Sequence, residues 1–515
     1  MNTYYKNIAL FCVIFLSACS KDLGNYDYQE INELKIKGIS STYVVRTGID
    51  TLRITPNLEG SLDESDLSRY DFHWILREGP RVLDTLSRKK DLEYPVKLEA
   101  VPYDLFYRVK DRITGVTWIA NTKIDVSTAY SRGLLLMGEN EEGYAEAEML
   151  SMLSDTIHIK NILTGTGLPP LREPMSLFHT GGAVSSTTIR VWAMTKTGSY
   201  MLDRSSMTTT PDNTLSKILY MSEDIDPATL HPIVVAPQIR TAAGAIGTTT
   251  YRALITSSGD IFANSPLLMG GDYYTNPVNR VDNGPDTRLP AAPYLLYPIN
   301  SMSNFMWYDT KNQRFLSFTK IYVGTTSTVL TDKETDVFPW NQPAGRSLVY
   351  AENTRNSDGG STNGNSFAIM KNTDNTCHIY KFYANGTNPA KRAGYTIKPM
   401  ATDFHKADHY AFSSNRSVIF YSVGNKLYAY DYNPGFEKFY EFPEIQDEIT
   451  MLKFDTQIDH VANSLYIATY NSATKGTLQR FRVGTNPNIV ELLPQENSTW
   501  SNLVKIKDIN WRATN

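Results

Sequence analysis

A chain of 515 residues that is 41% hydrophobic and 20% charged can bury more than one core. Its 50 Lys and Arg stand against 54 Asp and Glu, a net charge of −4 with no basic run, which argues against a nucleic-acid partner. Three cysteines are too few for a disulfide framework, so stability must come from burial.

In chain order, the first element is a signal over residues 1–18. Lys6 gives it a positive start, Ile8 to Leu16 an apolar stretch, and Ser17-Ala18 the small residues a signal peptidase needs. At ~1.5 Å per residue that stretch covers about half of a ~30 Å hydrocarbon core, so it reads as removable and not as a membrane span. Leu16-Ser17-Ala18-Cys19 resembles the lipobox of bacterial lipoproteins, which implies acylation of Cys19 and loss of Cys12 with the signal. Ser20, where Asp would mark inner-membrane retention, implies the outer membrane as destination. Lys21-Asp22 resembles the short export tag of Bacteroides-like lipoproteins, which implies the outer face. Residues 19–30 then form a lipidated tether, and no later apolar run approaches the roughly 18 residues that a spanning helix needs.

From residue 31 to 127 the pattern is short alternating strands broken by Gly, Pro, Asp and Asn. They include Thr51 to Ile54, Phe72 to Leu76, Leu105 to Val109 and Thr122 to Val126, a spacing that predicts a β-sandwich with Trp74 buried in it. Asp22 to Tyr28, Ile31-Asn32-Glu33, the run Tyr107-Arg108-Val109-Lys110-Asp111 with Thr114-Gly115, and the closing Ile124-Asp125-Val126 resemble the PKD-like family of Bacteroidota lipoproteins. That resemblance implies an immunoglobulin-like fold here. Tyr107 departs from it, standing where the family has an aliphatic residue.

Beyond Ser131 the recurrence changes. Two aromatic-rich strands around a Gly, Asn, Asp or Lys turn start near Gly133, Ile189, Arg252, Phe305, Phe367, Ser417 and Ser464. Starts about 47 to 63 residues apart match one blade plus loops, so residues 131–515 are predicted to form a β-propeller, most simply of seven blades. Such a ring removes exposed sheet edges. It is expected to close by pairing Leu134 to Met137 with a strand near Val504 to Ile509. The fold class is therefore all-β, a PKD-like sandwich followed by a propeller.

Catalytic motifs are missing. His405 and His409 have the spacing of a zinc helix, but Lys406 occupies the position of the required Glu and the sequence continues as a strand, so no metal site is assigned. The stretch from Glu352 to Gly360 lacks calcium-loop spacing and reads as an inter-blade loop. Gly360 to Gly364 does not fit a nucleophile elbow, and Cys377 and His378 should point to opposite strand faces. Gly244 to Gly247 has neither the Lys nor the helix of a phosphate loop. No cofactor is implied. Two non-repetitive loops remain, 265–298 and 332–346. Tyr273, Tyr274, Arg280 and Trp340 in them carry the ring faces and polar groups that a sugar or peptide needs, although the same residues serve protein interfaces and self-packed loops.

The family resemblance implies company with a TonB-dependent transporter and a companion surface lipoprotein. The expected function is thus a non-catalytic glycan- or peptide-recognition component of a nutrient-uptake system. A propeller-type polysaccharide lyase or hydrolase, and a structural or adhesive module, are the alternatives. Convergent acidic, His or Tyr groups in a deep central pocket would favour the enzyme.

Overall fold

The computed structural model describes residues 32–61, 66–153, 155–181, 188–237, 241–242, 245–246, 251–284, 287–299, 301–319, 321, 324–459 and 461–512. Cys19, with the signal and tether, lies outside them, as do Gly244 and Gly247. The chain divides into two compact units, one ending at Val126 and the other starting at Ser127.

The first unit holds a five-stranded sheet in the order Thr42–Arg46, Thr117–Ser127, Pro102–Asp111, Tyr70–Glu78, Arg81–Ser87. Leu34–Lys37 pairs with Asn57–Gly60, and Thr51–Ile54 with Leu92–Pro95. Alternation along Tyr70–Glu78 turns Phe72, Trp74 and Leu76 inward. They share one core with Leu52, Ile54, Leu105, Tyr107 and Val109, so the strand pairs cover the large sheet. Trp74 is fully buried, its ring 4.3 Å from that of Tyr107, and its indole N–H donates to the carbonyls of Lys89 and Lys90 at 3.2 Å. Tyr107 therefore fills its aliphatic position as a core ring. At the sheet end, Asp111 accepts the N–H groups of Ile113 and Thr114 and the guanidinium of Arg69, which shapes the turn through Gly115 at φ 75°.

The second unit contains seven sheets of three or four strands among the described residues, with a short ribbon of Thr241–Ala242 and Ala245–Ile246 besides. The first sheet runs Lys505–Arg512, Gly133–Glu139, Ala145–Met152, Thr156–Ile159. The second is Pro174–His179, Val191–Thr195, Ser199–Leu202, and the third Pro232–Ala236, Arg252–Thr256, Ile261–Asn264. In the fourth, Phe305–Asp309, Arg314–Phe318 and Thr328–Val329 follow a segment, 291–296, that bridges to the first of them through Ala291 and Leu296. The fifth is Arg346–Asn353, Ser366–Asn372, Cys377–Tyr383, Ala390–Thr396. The sixth is His409–Phe412, Val418–Val423, Lys426–Asp431, Lys438–Phe442, and the seventh Glu448–Phe454, Ser464–Asn471, Lys475–Val483, Leu492–Leu503.

Burial is graded across each sheet. Middle strands such as Phe305–Asp309 and Val418–Val423 are buried almost throughout, because sheets lie against both their faces. Outer strands such as Ala390–Thr396 are half-buried. The apolar residues gather into clusters that each draw on two sheets. Leu135 with Leu177, Trp192 with Leu254, and Ile255 with Trp307 join the first four sheets in order. Tyr308 with Met370, Ile379 with Tyr421, and Phe420 with Ile467 carry the series to the seventh. Tyr466 with Leu136 and Trp511 joins the seventh sheet back to the first. The unit is thus propeller-like.

The two ends of this unit meet in one sheet. Leu134 lies opposite Trp511 and Met137 opposite Asp508, in the pairing anticipated for Leu134 to Met137 and a strand near Val504 to Ile509. A bulge falls between Met137 and Gly138. There a Cβ on Gly138 would stand 2.4 Å from the Lys505 carbonyl oxygen, so only glycine lets the backbones meet.

Candidate functional site

The first strands carry polar residues that join neighbouring sheets. Lys453 Nζ donates to Asp508 Oδ1 and the Ile509 carbonyl, both at 2.7 Å, linking the seventh sheet to the first. Asn510 Nδ2 donates to Ser176 Oγ at 2.7 Å and the Leu177 carbonyl at 3.2 Å, linking the first to the second. Asn353 accepts the Tyr297 N–H at 3.1 Å and donates to the Leu295 carbonyl at 2.9 Å, joining the fifth to the segment before the fourth. Glu352 accepts the N–H of Phe412, joining fifth to sixth.

These strands border a cavity of about 380 Å³. Val235 and Ala236, Tyr294 and Tyr297, Tyr350 to Asn353, Asp408 to Tyr410, Met451 to Phe454, and Lys507 with Asp508 line it, so six of the seven sheets contribute. Pro293 and Asp408 are exposed, whereas Tyr410 and Phe454 are buried, which places the mouth beside the former pair.

Glu352 dominates the electrostatics. It is half-buried in the cavity wall, and desolvation pushes its carboxyl up to about 8 despite the Phe412 N–H, the Tyr350 hydroxyl and the positive charge of Lys453. Near neutral pH it is a carboxylic acid, able to donate as well as accept. Burial lifts the Tyr294 phenol to about 12 and that of Tyr350 well above its ordinary value, and it lowers the His409 imidazole, leaving that ring neutral. The wall thus offers neutral donors and acceptors, with Lys453 and Asp508 paired and Lys507 and Asp408 toward the open end.

The residues singled out in the two loops are placed elsewhere. Tyr274 is 1% exposed and sits in the core between the second and third sheets, so it offers no free ring face. Trp340 is buried against Phe315, Phe338 and Phe382, with Lys391 Nζ over its ring at 5.1 Å. Both are corrected from ligand contacts to core side chains. Arg280 pairs with Glu223 at 2.7 Å beside a separate cleft of about 570 Å³. Tyr273 is the one with substantial exposure, meeting the exposed Tyr220 edge-on at 5.2 Å. A further groove of about 610 Å³, along Glu139 to Tyr144 and Tyr470, runs between the first and seventh sheets.

Two loop readings also change. The stretch from Glu352 to Gly360 begins inside the first strand of the fifth sheet, and its remainder is tied down, with Asp358 paired to Lys381 at 2.6 Å and Asn356 donating to the Ser414 carbonyl. Within 265–298, segment 291–296 makes isolated bridges through Ala291 and Leu296, and its Tyr294 lines the cavity. His405 lies in a short turn and His409 opens a strand. Cys377 is buried, its thiol pushed up to about 11 by desolvation, while His378 bonds Thr396 from the other face. Among the described residues no three His, Cys, Asp or Glu gather as a metal site.

Sequence reasoning missed Glu352, Tyr350 and Tyr294. The alternation Tyr350-Ala351-Glu352 was the available signal, but a lone carboxylate after a short strand looks like any turn.

Residues 19–162 match the model of the PKD-like family, so the N-terminal region belongs to that family; the match runs on through the first-sheet strands of the second unit. No curated protein matches. Among solved structures, a quinoprotein alcohol dehydrogenase-like protein from Bacteroides thetaiotaomicron is 14% identical with TM-score 0.36, over 92% of this chain and 97% of that one. The WD40 domain of SCAP from fission yeast is 8% identical with TM-score 0.29, over 66% and 75%. NanB sialidase from Streptococcus pneumoniae is 8% identical with TM-score 0.27, over 82% and 86%.

Proposed function

We propose that this chain is a lipoprotein held at the outer membrane through Cys19, whose second unit is a closed seven-bladed propeller that recognises a sugar or short peptide in its axial cavity. The seven sheets, the core shared by the seventh and first, and the pairing of Gly133–Glu139 with Lys505–Arg512 support the ring. The signal and lipobox support the anchor, and the PKD-like region supports a role beside a TonB-dependent transporter and its surface lipoprotein.

One observation carries the ligand reading: Glu352, Tyr350, Tyr294 and Asn353 converge on one cavity of about 380 Å³. A protonated carboxyl, two phenols and an amide form a neutral, two-way hydrogen-bonding wall with ring faces, which suits hydroxyls or peptide amides. Binding of purified residues 20–515 to a panel of oligosaccharides and peptides, measured by calorimetry, tests it. The expected outcome is one-to-one binding weakened at least tenfold by Glu352→Leu, which keeps the bulk of the side chain but removes both its donor and its acceptor.

The same convergence favours a second reading. A carboxyl held protonated near neutral pH, hydrogen-bonded to Tyr350 and with Asp408 and Asp508 in the same lining, is the equipment of a general acid in glycan cleavage. Product formation from any polysaccharide of the panel would move the conclusion from recognition to a lyase or hydrolase. Binding without turnover keeps it at recognition.

A further inference from the structure

A second polar centre lies outside the cavity, where His179 ends the first strand of the second sheet and Arg512 ends that of the first. Arg252 opens the second strand of the third sheet beside them. Arg252 is 1% exposed, His179 2% and Arg512 5%, yet their polar atoms are poorly satisfied. Arg252 Nη2 donates to the Gly181 carbonyl at 3.3 Å, but its Nε and Nη1 meet no acceptor among the described residues. Arg512 Nη2 donates to the Arg204 carbonyl at 2.5 Å, and its Nε is unpartnered, as is His179 Nδ1.

Charge does not balance either. Arg190, Arg204, Arg252 and Arg512 face this centre. Asp272, 2% exposed, lies 3.4 Å from Arg190 Nε and 3.9 Å from Arg252 Nε, and is held by Asn264 at 3.1 Å. Asp203 is exposed and engaged with the Ser205 and Ser206 N–H groups. Burial and the positive fields of Arg512, Arg204 and Arg252 hold the His179 imidazole well below its ordinary range, so it is neutral. A guanidinium stays charged, and burying one with unmade hydrogen bonds is costly unless something answers it.

We propose that Arg252, Arg512 and His179 form a binding site for a small oxyanion, either free sulfate or phosphate or the acidic group of a sugar. The unpartnered N–H groups of Arg252 and Arg512 supply charge-assisted donors from two sheets, the neutral His179 ring adds a polar atom from a third, and Arg190 beside Asp272 has 28% of its side chain exposed. The site is separate from the cavity that contains Glu352 and stands whether or not that cavity binds sugar.

Calorimetric titration of residues 20–515 with sodium sulfate, sodium phosphate and glucuronate, at constant ionic strength in chloride, tests it. Saturable one-to-one binding of at least one of these is expected, weakened at least tenfold in Arg252→Met and in Arg512→Met. Sulfate or phosphate binding alone identifies a free anion as the ligand; glucuronate binding alone identifies an acidic sugar. Because an unanswered buried cation is removed, Arg252→Met should melt in anion-free buffer no lower than the parent chain. The melting temperature should rise saturably with the anion in the parent and not in that variant. Absence of saturable binding by all three probes, or binding unchanged in both variants, would overturn the proposal.

Discussion

Within each sheet of the second unit, the middle hairpin and the first strand differ in what they bury. Hairpins such as Phe305–Asp309 with Arg314–Phe318 put Trp307, Phe305 and Leu316 into cores shared with the next sheet, with a hydroxyl from Ser327 to satisfy the Trp307 indole at 2.9 Å. First strands carry Lys453, Asn510, Asn353 and Glu352, whose partners lie on the neighbouring first strand. Apolar burial is non-directional and can be repeated in every sheet, so it suits the scaffold. Directional bonds fix the separation of the first strands, and where they leave a gap they leave a lined cavity.

The sharpest way to break this contrast is Trp307→Ala. It should cost about 3–5 kcal/mol, because a fully buried ring and its hydrogen bond vanish from a shared core. Urea unfolding of residues 20–515 measures it; a loss under about 1 kcal/mol would deny that hairpins carry the stability. Next, Gly138→Val should cost about 2–4 kcal/mol by forcing apart the backbones that join the two ends of the unit, and limited proteolysis should then release the C-terminal strand first.

Glu352 gives a smaller, pH-dependent effect. Its folded carboxyl titrates near 8, above the unfolded value, so the folded state binds the extra proton between those limits. Stability from this group is fully present below the unfolded pKa and is lost as pH rises toward and through about 8. Thermal melts from pH 5 to 9 should therefore fall less steeply for Glu352→Gln than for the parent. Smallest of all, Tyr273→Ala should change stability by less than about 0.5 kcal/mol, since it is 38% exposed and its aromatic neighbour Tyr220 is exposed too.

In the first unit, Asp111→Ala removes the acceptor for two turn N–H groups and Arg69, and should cost about 1–2 kcal/mol. Arg69 and the turn hold the Asp111 carboxyl well below its ordinary range. Its contribution is present above the unfolded pKa and disappears as pH falls into the acid range. An acid melt in which parent and variant converge confirms this; parallel curves would contradict it.

The same contrast explains what could be read in the sequence. Each of the recurring strand–turn–strand patterns holds a middle strand of its sheet, visible because both faces are apolar and aromatic, as in Ser417 to Asp431. The outer strands are half polar, and the first strands mix Glu, Asn and Lys into short runs, so Arg346–Asn353 passed as the edge of a loop. Tyr274 and Trp340 show the converse failure. A ring beside Asp and Arg in a proline-rich loop looks like a binding face, but in three dimensions the loop folds its rings inward and Lys391 lies over one of them. Tyr350 apart, the groups that act on Glu352, the Phe412 N–H and Lys453, come from strands 60 residues and more away, a separation that no local spacing reports.

The measurement that bears most directly on the axial cavity is calorimetric binding of one hit from the sugar and peptide panel to the parent chain, Glu352→Leu and Tyr273→Ala. Recognition in the cavity predicts at least tenfold weaker binding for Glu352→Leu, whose side chain can neither donate nor accept, and no change for Tyr273→Ala. Full affinity in a folded Glu352→Leu with loss in Tyr273→Ala would contradict it and move the binding site to the outer loops.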